Sequence, residues 1–102
     1  MQEKPHIEVD KEILRYFAHY VWWESADYLI ESNPLKIIAQ AMRYANEQED
    51  FSKLYGLQKD ILKQALTSAQ AGWFDKKSWA YWHYMLYGYD VKIPPLPQRR
   101  LA

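Results

Sequence analysis

Eight of the seventeen residues from Trp73 to Tyr89 are aromatic, with Gly88 interrupting the run just before its last ring. Trp79, Trp82, His83 and Leu86 fall at i, i+3, i+4 and i+7, the spacing of one helix face. That periodicity predicts a helix capped by Asp75 and closed by Gly88, with Trp79, Trp82 and Leu86 packed against Ile61, Leu62 and Leu66. The remaining rings, Trp73, Tyr81, Tyr84, Tyr87 and Tyr89, cannot all point the same way. A domain of this size has little interior to spare, so part of this aromatic set is expected on a contact surface. Tyrosine suits such a place, with an apolar body to bury and a hydroxyl to leave in water.

The rest of the chain reads as helix joined by short turns. Asp10 is a cap for a helix that buries Ile13, Leu14, Phe17, Ala18 and Val21, with Tyr16, Tyr20 and Trp23 on the neighbouring face. Ser25 restarts a short helix through Tyr28 and Leu29. Asn33-Pro34 is a cap followed by proline at the first helical position, where its missing N–H costs nothing. The helix behind it carries Leu35, Ile38, Ala39 and Met42 and ends near Asn46. Phe51, Leu54 and Tyr55 mark one or two further turns closed by Gly56. From Gln58 another helix runs through Ile61, Leu62, Ala65, Leu66 and Ala69, with Gly72 as its stop.

The expected fold is therefore all-α, a compact bundle of roughly five or six short helices in a single domain. Residues 1–9 form a loose lead-in and residues 10–88 the helical domain. Residues 89–102 form an extended proline-rich basic tail, because Ile93-Pro94-Pro95-Leu96-Pro97 cannot be helical. That tail is expected to strap its own domain or to reach a neighbour, with Val91, Ile93 and Leu96 in a groove.

Thirteen basic residues balance thirteen acidic ones, so net charge offers no attraction to nucleic acid or to a membrane surface. There is no cysteine, which removes disulfide and thiol chemistry and suits a reducing cytoplasm. No apolar run approaches the roughly 20 residues that span a bilayer, and MQEKPHIEVD lacks the layout of a secretion signal. His6, His19 and His83 are scattered without the ligand spacing of a metal site. Glu24 with Asp27, and Glu47 with Glu49 and Asp50, sit where helix ends and solvated turns place acids. No serine elbow and no phosphate loop is present. The expectation is a cytoplasmic protein that is not an enzyme, with no catalytic residue, metal or cofactor.

Several strings also carry a family likeness. Leu62-Lys63-Gln64-Ala65-Leu66, Ala71-Gly72-Trp73-Phe74-Asp75 and Ser78-Trp79-Ala80-Tyr81-Trp82-His83-Tyr84 come first. Ile93-Pro94-Pro95-Leu96-Pro97 and Arg99-Arg100-Leu101 follow, and the Asn33-Pro34 helix with Ile38-Ala39-Gln40 and Met42 stands ahead of them. Over residues 11–101 the chain resembles a group of small uncharacterised bacterial proteins often encoded beside an abortive-infection-type nucleotidyltransferase toxin. The resemblance implies a toxin–antitoxin role as the antitoxin-like member, with the toxin as protein partner. This chain has no Gly-Ser plus Asp-x-Asp arrangement of its own for nucleotide transfer.

The function expected from all this is protein–protein interaction, with Trp73, Tyr81, Tyr84 and Tyr87 as anchors and Arg99 and Arg100 as charged contacts. Two alternatives stay open. One is a helix-turn-helix nucleic-acid module across Ser25–Asn46, using Lys36, Arg43 and Lys53 on phosphates. The other is a structural protein that self-associates into a homo-oligomer through its exposed rings.

Overall fold

A computed structural model describes residues 9–98. Among the described residues six α-helices follow one another: α1 (Lys11–Phe17), α2 (Ala26–Ser32), α3 (Pro34–Tyr44), α4 (Gln48–Tyr55), α5 (Lys59–Thr67) and α6 (Lys76–Tyr87). A 3-10 helix, Ala18–Val21, extends α1. There is no strand among the described residues, and no helix there is long and apolar enough to cross a membrane.

The local signals explain most of the boundaries. Asp10 accepts a hydrogen bond from the backbone N–H of Glu12 at 2.8 Å, and Ser25 accepts one from Tyr28 at 3.3 Å. Each satisfies an N–H that has no partner inside its own helix. Pro34 occupies the first turn of α3, although the Asn33 side chain makes no capping bond. Asp75 and Ser78 form a reciprocal capping box at the start of α6. Gly88 ends that helix at φ 104°, a conformation a side chain would strain.

Helix α3 is the centre of the molecule and touches every other helix. Its six consecutive residues Ile37 to Met42 are all buried, which at 3.6 residues per turn means that no side of this stretch faces water. Around it pack Leu14, Phe17 and Val21 from the N-terminal segment, Leu54 from α4, Ile61, Leu62 and Leu66 from α5, and Trp79 and Trp82 from α6. The Trp82 indole N–H donates to Met42 O at 2.9 Å, giving a partner to a carbonyl in the last turn of α3.

Several boundaries differ from the sequence expectation. Helix α3 ends at Tyr44 and not near Asn46, and α4 begins at Gln48, inside the stretch read as a polar turn. Helix α5 ends at Thr67, so Gly72 is not its stop. Gly72 instead turns the following loop at φ 89°. Its carbonyl accepts from Gln40 Nε2 at 3.3 Å and from Arg43 Nη1 at 2.6 Å, while Gln40 also donates to Trp73 O at 2.9 Å. A buried glutamine on α3 thus fixes the loop, a long-range contact that helical periodicity does not encode.

After Gly88 the chain has neither helix nor strand through Gln98. Trp79 Nε1 donates to Pro94 O at 2.8 Å, and Ile93 and Leu96 pack against the core. The expected contacts of Arg99 and Arg100, and nearly all of the N-terminal lead-in, lie outside the described residues.

Candidate functional site

The two sides of α6 have different partners. Trp79, Trp82 and His83 face inward, and His83 Nδ1–H donates to Trp79 O at 2.7 Å. The histidine is therefore packed and satisfied within its own helix. The outward stripe is Tyr81 at 39% exposure, Tyr84 at 37% and Tyr87 at 44%. With about 100° between successive residues, three positions spaced by three stay on one side of a helix, opposite the tryptophans. Tyr89, beyond the glycine, is exposed and its ring lies 5.9 Å from that of Tyr84. Lys63 places its ammonium 4.9 Å from the Tyr87 ring centre. Tyr81 and Tyr55 share a hydroxyl–hydroxyl hydrogen bond. Burial, reinforced by that bond, pushes the Tyr55 phenol up to about 12.

Trp73 departs from the expectation. It is only 6% exposed and belongs to the core with Phe74. The loop held by Gln40 turns it inward, so it is not a surface anchor beside the three tyrosines.

A second group of exposed rings lies near the N-terminal end. Trp22 is 81% exposed, Trp23 and Tyr28 are also exposed, and the Trp22 and Trp23 rings meet edge-on at 5.8 Å. The helical spacing that points to Trp23 does not single out Trp22, because the segment before it tightens to 3-10 geometry and then turns. The available signal was the pair of adjacent tryptophans: neighbours in sequence cannot share one helix face.

Asp50 is the other correction. Its sequence position is that of a solvated turn acid, yet it is 2% exposed. Its carboxylate accepts from the Tyr16 hydroxyl at 2.7 Å and from the Tyr20 hydroxyl. Burial by itself would raise its pKa, but the two hydroxyls favour the charged form and hold it below the ordinary carboxylate value. Nearby His19 and Lys53 act in the same direction. The hydrogen bond to Asp50 pushes Tyr16 up to about 12, and burial with the same carboxylate also raises Tyr20. All three groups are stabilised in their neutral-pH states, the arrangement of a latch between the first segment and α4. It is not that of an acid–base pair poised near neutrality.

The cations assigned to the helix-turn-helix alternative are engaged inside the molecule. Lys36 Nζ lies 2.9 Å from Glu24 Oε2, close enough for an ion pair though not aligned as a hydrogen bond. Arg43 donates to Gly72 O, and Lys53 sits 4.9 Å from the Tyr16 ring centre. Helix α3, packed on all sides along its middle, offers no free face of the kind a recognition helix lays in a groove. Among the described residues no three His, Asp or Glu side chains gather closely enough to hold a metal ion. Compared with protein-family models, with curated proteins and with solved structures, the chain matches none of them.

Proposed function

We propose that this chain is a non-enzymatic protein-interaction domain whose contact surface is the outer stripe of α6, Tyr81, Tyr84 and Tyr87. One observation carries the reading. The inward side of α6 is already complete with Trp79 and Trp82, yet three large amphipathic rings remain more than a third exposed on the other side. Rings of this kind are the usual anchors of protein interfaces. The sequence resemblance supplies the partner class, a nucleotidyltransferase-type toxin, with this chain as the antitoxin-like member holding it inactive by occlusion. Arg99 and Arg100, which lie outside the described residues, are the proposed charged contacts.

The test is co-purification of the full chain with such a nucleotidyltransferase. Changing Tyr84 and Tyr87 together to Ala is expected to abolish capture while the helical circular dichroism stays unchanged, since truncating an anchor typically costs about 2 kcal/mol or more. Undiminished capture would reject the stripe as the contact surface. Removing residues 99–102 tests the arginines separately. Cutting at Ile93 is a poorer test, because it also deletes the Pro94 carbonyl that Trp79 uses and Leu96 from the core. Light scattering distinguishes the self-associating alternative: a dimer that the same double substitution dissolves would assign the stripe to a second copy of this chain.

A further inference from the structure

A cleft of about 480 Å³ opens between the end of α3, α4 and the first half of α6. Tyr44, Phe51, Tyr81 and Trp82 supply aromatic walls, while Arg43 and Lys77 bring positive charge to the lining. Pockets of roughly 300–1,000 Å³ with apolar walls and few polar groups are the size and character that hold small ligands.

Arg43 is held in place there. Its Nη1 donates to Gly72 O at 2.6 Å, and its guanidinium carbon sits 4.8 Å from the centre of the Tyr44 ring. Its Nε is buried and has no hydrogen-bond partner. That nitrogen is screened from solvent, so Arg43 contributes its positive charge to the cleft and not a donor at Nε. Asp75, the acid among the described lining residues, is already committed. It accepts from Ser78 N at 2.8 Å and from Ser78 Oγ at 2.6 Å, and the Ser78 bonds hold it below the ordinary carboxylate range. Two cations against one occupied carboxylate leave the lining net positive.

We propose that this cleft binds a small planar aromatic anion, its ring against the aromatic walls and its charged group at Lys77, with Arg43 adding positive charge from its fixed position. A nucleoside monophosphate and an aromatic carboxylate share that chemistry. Tyr81 belongs both to the partner stripe and to the cleft, while Tyr84 and Tyr87 do not line the cleft, so substitutions at those two residues distinguish this inference from partner binding.

The experiment is a titration of the isotope-labelled full chain, followed by NMR, with adenosine monophosphate, indole-3-acetate, adenosine and inorganic phosphate. Saturable shifts of the Asn46 and Lys77 amides and of the Trp82 indole N–H are expected with at least one of the two aromatic anions. Adenosine and phosphate are expected to bind more weakly. Saturation by the nucleotide alone assigns a nucleotide site, and saturation by indole-3-acetate alone or by both assigns a broader aromatic-anion site. Lys77→Ala, which removes an exposed side chain, should weaken binding about five-fold, the scale of one solvent-facing ion pair. Tyr84→Ala should leave it unchanged. Absence of saturable shifts with both anions overturns the proposal, as does adenosine binding as tightly as its monophosphate. Unaltered affinity in Lys77→Ala overturns it too. If that variant does not fold, the comparison of nucleoside with nucleotide on the native chain decides alone.

Discussion

The aromatic residues of α6 and those of the first segment are similar in chemistry but are handled in opposite ways. In α6 the division follows the helix: tryptophans inward, tyrosines outward. In the first segment the division follows hydrogen bonding. Tyr16 and Tyr20 are drawn down by one buried carboxylate from a helix some thirty positions away, and Trp22 and Trp23 are left outside. Periodicity is enough to sort rings on a regular helix. Where the helix tightens and ends, a polar partner supplied by distant sequence does the sorting.

Four changes probe this contrast. Trp82→Ala should have the largest effect, a loss of about 3–5 kcal/mol from the cavity, with the Met42 carbonyl also losing its donor. Urea unfolding should register it as a lower midpoint at unchanged slope. Asp50→Asn should cost about 2 kcal/mol, the scale of buried hydrogen bonds to a charged group. Because Asp50 is held below its ordinary pKa, its contribution is full above the unfolded value near 4 and is lost as pH falls through the lower folded value. The wild type should therefore shed stability on acidification below about 4, and the Asn variant should show a flatter acid limb. At the alkaline end the sign reverses. Tyr16 and Tyr55, both raised to about 12, stabilise below their ordinary value of 10 and lose that contribution as pH climbs toward the folded values.

Asp75→Ala should cost about 1 kcal/mol through loss of the cap of α6, read from thermal melts. It tests whether the helix that sorts its rings by periodicity also depends on its start signal. Tyr84→Ala should be smallest, within about 0.5 kcal/mol in stability, with its effect confined to partner capture. A large loss of stability there would mean that the stripe is part of the fold, and the contrast between the two regions would fail.

The order of the helices, the Asp10 and Asp75 caps, the Pro34 start and the Gly88 stop were all legible in the chain. Each is a local preference, set by a side chain and the backbone within one turn of it. The same holds for the inward placement of Trp79 and Trp82, which needs nothing beyond 3.6 residues per turn. What lay beyond local rules was decided by contacts between distant residues. Gln40 folds the 68–75 loop and buries Trp73, Tyr16 and Tyr20 bury Asp50, and the walls of the Arg43–Lys77 cleft come from three separate helices. Periodicity reports which side of an element is apolar. Whether a polar group is buried depends on what stands opposite it, and that is chosen only when the helices pack.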